Sequence, residues 1–409
     1  MTEFCHFDLP DRLGEDFTAH NEMSRALYAA FAVNKHPRVP VRLNTNPRML
    51  MLDPAYNRKG LSYQEYMTDP DVMGQCILEW LYWTRFLLPG DQEKGLPDAW
   101  KVHVDFQNFY DAAWLGGEVV FEDNQIPYAK PLLNDDNKRM LFDRGIPDPF
   151  EGEWASRGLR FSEHFERKSA EGWAFFGRPV EPARIVSFMA TDGPFTTAAT
   201  LRGATALCMD MLLDPGYVHE LLEYLTDALI ARMKAWRAFL GCPSDPAEWG
   251  TADDSVEMLS VEQYREFVLP CHHRLYEAIC PKGTRGMHLC GNAQRLFPVL
   301  KQELNVTGFD TGFPVDFALF RKEMGPDVLI SGGPRAPLFV EEDPAPLLRE
   351  TECILNSGIL EGGRFILQEG NNLPPRAPLS HCEAFYKLAV ERSTVRNRSH
   401  MPTASSASS

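Results

Sequence analysis

The sequence contains no long run of apolar residues. Its most apolar segment, 76–88, is interrupted by Glu79 and Arg85 and is shorter than the ~20 apolar residues that a membrane span requires. Basic residues are also scarce, since 41 Lys and Arg stand against 57 Asp and Glu, which gives a formal charge of −16. An acidic surface repels phosphate backbones and anionic lipids, so we expect neither nucleic acid nor a membrane as partner.

Several catalytic motifs are missing as well. No G-x-G-x-x-G follows a predicted strand, and no Walker loop, G-x-S-x-G or H-E-x-x-H is present, so nothing supports dinucleotide binding, nucleotide hydrolysis, serine-hydrolase chemistry or zincin proteolysis. The nine cysteines are scattered singly, and the first residues lack the basic and apolar regions of a signal peptide. These features predict reduced thiols and a cytoplasmic location.

From about residue 184 the sequence alternates apolar runs of strand length with segments of helical periodicity, which predicts βα units and a parallel sheet. We therefore expect an α/β fold, a single (β/α)8 TIM barrel over residues 21–392, with an elaborated N-terminal half. Residues 1–20 are expected to form an arm, 118–182 a loop-rich insertion or lid, and the Ser-rich 393–409 a disordered tail. The predicted strands are 38–43, 184–190, 286–289, 306–310, 328–331 and 364–368.

The sharpest chemical signal is the stretch MHLCGN at 287–292, at the end of a predicted strand. Because side chains alternate along a strand, His288 and Cys290 point to the same side. An imidazole beside a thiolate suits zinc, although a zinc site needs at least a third protein ligand. The alternative for this pair is a packed cysteine next to an ordinary hydrogen-bonded histidine.

Carboxylates stand at two other places of the kind where a barrel has its active-site residues: after the predicted strand at 364–368, and before the predicted helix that begins at Ser260. Glu369 would complete a His/Cys/Glu ligand set, or else it is a solvated turn residue. Asp253 and Asp254 are adjacent, and they would bind a cation, orient a histidine or stabilise positive charge. Their alternative is a solvated loop cap.

The loop after the strand at 184–190 is a candidate for substrate contact. It contains Asp192, a Gly-Pro turn and the hydroxyl of Thr196, although Gly-Pro is also common at turns that have no function. Asp192 joins Asp253 and Asp254 as a predicted catalytic residue. The predicted substrate-binding residues are Thr196, Arg202, Arg335 and Asn372.

Seven segments, taken in order, resemble the uroporphyrinogen decarboxylase superfamily. They include GPFTTAATLRG at 193–203, MHLCGN at 287–292 and GGRFILQEGNNLPPRAPLSH at 362–381. The resemblance runs from about residue 21 to 390. It implies a (β/α)8 barrel whose pocket lies at the C-terminal ends of the strands.

The superfamily includes at least two chemistries. Its true decarboxylases carry an arginine-rich segment resembling M-R-Q-A-G-R-Y, which grips a highly carboxylated porphyrinogen, and the matching region here, VRLNTNPRMLMLDPAY at 41–56, lacks it. The His-x-Cys-Gly-Asn form is instead similar to zinc-dependent, corrinoid-linked methyltransferases. There a later cysteine completes the metal site, and that cysteine is Asn371 here. The resemblance thus implies zinc on His288 and Cys290, with Glu369 or Asn371 as third ligand.

The resemblance implies a methyltransferase that moves a methyl group between a small O-, N- or S-methyl compound or thiol and a corrinoid. Zinc would activate the heteroatom, and the cobalamin would be carried by a partner protein. Asp192, Asp253 and Asp254 would orient the substrate or His288.

Two alternatives stay open on the sequence. One is a metal-independent decarboxylase for a smaller acid, which would turn Arg202, Arg335 and Arg376 toward the pocket and use Asp254 to stabilise a protonated intermediate. The other is a barrel that has lost its metal and serves as a binding subunit. The oligomeric state is open too, a homodimer included.

Overall fold

A computed structural model describes residues 4–395, except for the side chains of residues 184–186. The described residues form an α/β structure whose larger sheet is parallel. From β5 onward, helices separate consecutive strands, as the sequence pattern predicts. The strands are β1 Trp100–Val104, β2 Val119–Val120, β3 Tyr128–Ala129, β4 Ala174–Phe175, β5 Arg178–Val186, β6 Glu248–Ala252, β7 Thr284–Leu289, β8 Val306–Thr311, β9 Leu329–Gly332 and β10 Phe365–Leu367. The helices are α1 Thr18–Ala32, α2 Arg48–Met51, α3 Tyr63–Thr68, α4 Pro70–Phe86, α5 Tyr110–Trp114, α6 Met140–Arg144, α7 Glu153–Ala170, α8 Pro194–Arg202, α9 Ala204–Leu213, α10 Pro215–Phe239, α11 Val261–Gln263, α12 Leu269–Ile279, α13 Phe297–Leu304, α14 Phe317–Met324, α15 Ala345–Leu355 and α16 Leu379–Arg392.

Five strands form one parallel sheet in the order β10-β9-β8-β7-β6, and β1 pairs in parallel with β5 in a second sheet. A parallel bridge between Val41 and Leu367 extends the larger sheet to the predicted strand at 38–43. The predicted α/β class with a parallel sheet is therefore confirmed. Within residues 4–395 the backbone pairing does not run around a full ring, because no ladder joins β5 to β6 or β1 to the segment at Val41.

The region 118–182 is less irregular than the sequence analysis expects. It contains α7, a helix of 18 residues. The buried residues Trp154, Gly158, Phe161 and Phe165 recur at helical spacing, and they pack one face of α7 on the core. The glycine, proline and aspartate content of the flanking loops hides this periodicity in the sequence.

The strand predicted at 184–190 begins earlier, at Arg178, because Ser187–Met189 already form a 3-10 turn. Residue 393, where the predicted tail begins, is part of the packed structure. Ser393 is fully buried and its carbonyl accepts a hydrogen bond from the Val39 amide at 3.1 Å. The rest of that predicted tail, 396–409, and residues 1–3 of the predicted arm lie outside the described residues.

The described part of the predicted arm is fixed to α4 by a buried carboxylate. Glu79 accepts hydrogen bonds from the backbone amides of Cys5, His6 and Phe7, the shortest of which is 2.6 Å. This contact explains why a charged residue interrupts the most apolar segment of the chain. Among the helices of residues 4–395, none combines the length and the apolar character needed to cross a bilayer.

A buried ion pair holds the loop that follows β5. The guanidinium group of Arg232 donates hydrogen bonds to Asp111 and, at 2.6 Å, to the carbonyl of Ala190. Asp111 also accepts from the hydroxyl of Thr191 at 2.8 Å and from the amide of Asp192 at 3.0 Å. One pair of opposite charges therefore connects α5, α10 and the loop that carries Asp192.

Replacing Arg232 by methionine should lower the free energy of unfolding by about 3–5 kcal/mol, because Asp111 would keep a buried charge without its partner. The matched control is Arg274→Met, whose pair with Asp227 is 42% and 53% exposed, against 0% and 4% for Arg232 and Asp111. The control should cost at most about 1 kcal/mol. Urea unfolding of both variants measures the difference, and equal losses would contradict this account.

Candidate metal centre

Three side chains at two neighbouring strand ends, those of Asp254, His288 and Cys290, form a compact group. We call it the metal group because its donor atoms could hold a metal ion. His288 is near the end of β7, Cys290 follows that strand, and Asp254 begins the 3-10 turn after β6. Met287 and Leu289 are buried in the core, so His288 and Cys290 share the opposite face, as the alternation predicts. One ligand atom from each of Asp254, His288 and Cys290 lies within 4.8 Å of the others.

The backbone amide of Cys290 holds the carboxylate of Asp254 close to the Cys290 thiol. Asp254 Oδ1 accepts the amide hydrogen of Cys290 at 2.7 Å. His288 Nε2 lies 3.0 Å from Cys290 Sγ and 3.8 Å from Asp254 Oδ1. A nitrogen, a sulfur and an oxygen therefore converge. Such a set of three protein donors suits zinc and leaves a fourth position for a substrate atom.

A chain of hydrogen bonds supports His288 from behind. Asp310 is its register partner on β8, and His288 Nδ1 lies 2.8 Å from Asp310 Oδ2. The other Asp310 oxygen accepts from Gln368 at 2.5 Å, and Gln368 accepts from Arg42 at 2.8 Å. With Nδ1 directed at a carboxylate, Nε2 is the ring nitrogen that faces Cys290. Metal-binding histidines in proteins are held in this way.

The electrostatics of the group also fit a cation. Burial lowers the pKa of His288, but hydrogen bonds to Asp310 and Cys290 outweigh it and raise the pKa above its ordinary value. Burial raises the pKa of Asp254 and of Cys290, and the nearby His288 opposes both shifts. The acidic groups around His288 therefore attract either a proton or a metal ion to the space between Asp254, His288 and Cys290. A divalent cation would compete with protons for all three ligand atoms.

Asp253 lies apart from the metal group and holds a loop instead. Its fully buried carboxylate accepts hydrogen bonds from the amides of Phe195 and Thr196, from the Thr196 hydroxyl at 2.7 Å and from His272 Nε2 at 2.9 Å. Gly193 packs against it so closely, at φ +89°, that a Cβ there would overlap Asp253. Asp253 is predicted to act in catalysis and Thr196 to bind substrate, but in the structure the two side chains are hydrogen-bonded to each other.

Asp192 faces a cavity of about 410 Å³ that opens beside His288 and Asp310. No group of residues 4–395 donates a hydrogen bond to its carboxyl oxygens, in contrast to Asp253. Burial, followed by the charges of Asp111 and Asp254, raises the pKa of Asp192 well above its ordinary value. Of the three predicted catalytic aspartates, Asp192 is the one that lines this cavity.

Glu369, predicted as the third metal ligand, lies outside the metal group. It is fully buried, and both of its carboxylate oxygens lie 3.1 Å from the amide nitrogen of Asn44. Glu369 therefore accepts a backbone hydrogen bond just after the predicted strand at 38–43. Asn371 adopts the left-handed conformation with φ +87°, and its side chain accepts a hydrogen bond from Asn372 at 3.3 Å. Asp254, which is not in the predicted zinc ligand set, lies beside His288 and Cys290, whereas Glu369 and Asn371 are not members of this group.

The predicted arginines do not reach the cavity. Arg202 is buried in an ion pair with Asp210 at 2.7 Å, where it supports the junction of α8 and α9. Arg335 is exposed and pairs with Glu350 at 2.8 Å. Arg376 is exposed and contacts the backbone near α2. The arginine cluster that the decarboxylase hypothesis requires is therefore not formed by these three residues.

The sequence analysis missed Asp310 and Gln368. Both stand at predicted strand ends, so the signal was present, but neither belongs to a recognisable motif. Their role depends on the register that sets Asp310 level with His288, and a sequence without aligned strands does not reveal that register.

The sheet and the site together define an α/β protein with a polar centre at the ends of its parallel strands. Residues 182–392, a little over half of the 409 residues, match the family described as uroporphyrinogen decarboxylase (URO-D). The chain belongs to this family. The family assignment agrees with the resemblance found in the sequence segments.

Two curated relatives carry different names. The chain is 32% identical over 205 residues to the methylated-thiol–coenzyme M methyltransferase of Methanosarcina mazei, which covers 48% of this chain and 51% of that protein. It is 28% identical over 210 residues to the uroporphyrinogen decarboxylase of Saccharopolyspora erythraea, with 48% and 53% covered. The chain spans about half the length of the curated relatives it matches.

One solved structure supports the fold over nearly the whole chain. A methyltransferase from Methanosarcina mazei superposes with a TM-score of 0.60, and the match covers 90% of this chain and 98% of that one. The sequence identity is 16%, so the likeness concerns the fold alone.

Changing Asp310 to asparagine should weaken zinc binding by about 10- to 100-fold, because the support that orients His288 is lost. Competitive titration with a chromogenic zinc chelator measures the affinity. Asp316→Asn is the matched control, since Asp316 caps α14 through a hydrogen bond to Leu319 and asparagine caps equally well. Equal affinity in both variants would remove Asp310 from the centre.

Proposed function

We propose that this chain is a methyltransferase that moves a methyl group between a small heteroatom compound and a corrinoid. Asp254, His288 and Cys290 would hold a zinc ion that activates the heteroatom. The observation that carries the proposal is the convergence of these three ligand atoms within 4.8 Å, with Asp310 behind the imidazole. The sequence match to a methylated-thiol methyltransferase supports it.

The chain's own residues would prepare the substrate for transfer. Bound zinc would lower the pKa of a substrate thiol, so that the thiolate is present at neutral pH. His288 is kept in one orientation by Asp310, and Asp254 is kept in place by the Cys290 amide. Asp192 faces the cavity beside them and would position the substrate.

The direction of electron flow follows from the chemistry of the thiolate. A bound corrinoid would supply the methyl group: the thiolate sulfur would take the methyl carbon, and the electron pair of the cobalt–carbon bond would stay with the corrinoid. The thiol proton leaves to solvent before this step. We propose that a partner protein presents the corrinoid over the strand ends, where Cys290 is partly exposed.

Decarboxylation of a carboxylic acid has less support. A uroporphyrinogen decarboxylase is among the curated relatives, but an acidic substrate needs cationic partners. Arg202 and Arg335 are paired with carboxylates away from the cavity.

We also propose that eight parallel segments close into a barrel within one domain of residues 21–392. The segments are residues 39–43, β1 and β5 to β10, in chain order. The Val41–Leu367 bridge, the family assignment and the single large hydrophobic core that reaches from Phe7 to Ala389 support this arrangement.

The purified protein should contain about one zinc ion per chain by inductively coupled plasma mass spectrometry. His288→Ala and Cys290→Ala should each lose most of it, because two protein ligands hold zinc far less tightly than three. His273→Ala, which alters an exposed histidine on α12, should keep the full content. A protein that takes up no zinc under reducing conditions would overturn the metal site.

The same variants test the reaction. With methylcobalamin and 2-mercaptoethanol, the wild type and His273→Ala should consume methylcobalamin, as followed by its visible absorbance under anaerobic conditions. Cys290→Ala should lose at least about 100-fold in rate, since the activated thiolate is no longer formed. Full activity in Cys290→Ala would contradict the proposed mechanism.

A further inference from the structure

Three glycines occupy one level of the larger sheet. Gly250, Gly286 and Gly308 are register partners on β6, β7 and β8, and they lie two residues before the level of His288 and Asp310. In parallel barrels such a level is usually filled by bulky branched side chains. Here three neighbouring positions of the level carry no side chain, with Leu329 next to them on β9, and the cavity of about 410 Å³ extends over these glycines.

The backbone does not require glycine at Gly286 or Gly308. Gly286 and Gly308 are absent from the residues with positive φ. A Cβ on Gly286 would meet its nearest neighbour at 3.6 Å, and one on Gly308 at 3.9 Å, both ordinary contact distances. The structural effect of the glycines is therefore the space that they leave.

The described walls of this space are mostly apolar, and their one basic side chain is His288 of the metal group. Leu329, Ala252 and Ala190 line the cavity with the glycines. The charged groups of its lining are Asp192, Asp310 and His288, and no Lys or Arg whose side chain the structure describes belongs to it. Since His288 already pairs with Asp310, an anionic group on the glycine side of the cavity, away from the proposed zinc, would find no cation among the described side chains and would face Asp192.

The size of the space suits a substituted ring or a short chain. An apolar cavity of about 150 Å³ holds benzene in other proteins, and binding pockets for small molecules measure roughly 300–1,000 Å³. The cavity described here lies within that range and ends beside the proposed metal ligands.

We propose that the glycine-lined cavity binds the apolar body of an uncharged thioether or thiol and rejects acids of the same shape. The inference rests on the proposed methyl transfer and adds the substrate class. The heteroatom lies toward His288 and Cys290, and the apolar part lies on Gly286 and Gly308. The glycines thus determine which substrates fit, without contact to the metal.

The test compares two probes of one shape. Methyl phenyl sulfide is neutral, and 4-(methylthio)benzoate adds a carboxylate. By isothermal titration calorimetry the neutral probe should bind the wild type at least about tenfold more tightly, because the carboxylate must leave water without a cationic partner. Equal binding of the acid, or no binding of the neutral probe, overturns the inference.

Variants that fill the cavity locate the binding. Gly286→Val and Gly308→Val should each reduce binding of methyl phenyl sulfide at least about tenfold, whereas Gly308→Ala should reduce it less. Zinc content and thermal unfolding confirm that the variants are folded. Gly216→Ala is the control, since nothing lies within 4 Å of a Cβ at that helix position. Unchanged binding in both valine variants and in Gly308→Ala overturns the inference.

Failure of the proposed function and failure of the substrate inference give different results in these measurements. If the protein takes up no zinc but still binds the neutral probe in a glycine-dependent way, the cavity is a ligand site and the methyl-transfer mechanism is wrong. If zinc binds normally and the valine variants bind the probe as the wild type does, the mechanism stands and the substrate assignment is wrong.

Discussion

The register of β7 against β8 is the constraint on which the site depends. It sets His288 level with Asp310, and the hydrogen bond between them directs the second ring nitrogen toward Cys290 and Asp254. A slip of one residue would turn His288 into the core and Met287 toward the cavity. The same register aligns Gly286 with Gly308 two residues earlier, so one pairing orients His288 and also opens part of the space beside it.

Much of the fold could be predicted, because it depends on local pattern. Alternating strands and helices after residue 184 and the shared face of His288 and Cys290 follow from periodicity alone. The partners of these residues could not be predicted in this way. Asp310 and Gln368 act through alignment of separate strands, and Glu369 is buried against Asn44 because a segment more than 300 residues earlier pairs beside β10. Spacing within a motif carries none of that information.

An acidic protein keeps several of its carboxylates inside. Glu79 binds the amides of the N-terminal arm, Asp111 binds Arg232, and Asp253 binds the first turn of α8. Each is a buried acceptor for several donors, which offsets the cost of its desolvation. Asp192 lacks such donors among the described residues, and this contrast favours the role proposed for Asp192 beside the substrate over a purely structural one.

The contact of Asp253 with α8 has a consequence for motion. The first amides of a helix have no partner within the helix and ordinarily exchange their hydrogens rapidly with water. In this protein the amides of Phe195 and Thr196 donate to a fully buried carboxylate that also binds His272. They should therefore exchange as slowly as core amides, and their opening should coincide with that of α12. The loop beside the cavity would open and close as one cooperative unit with that helix.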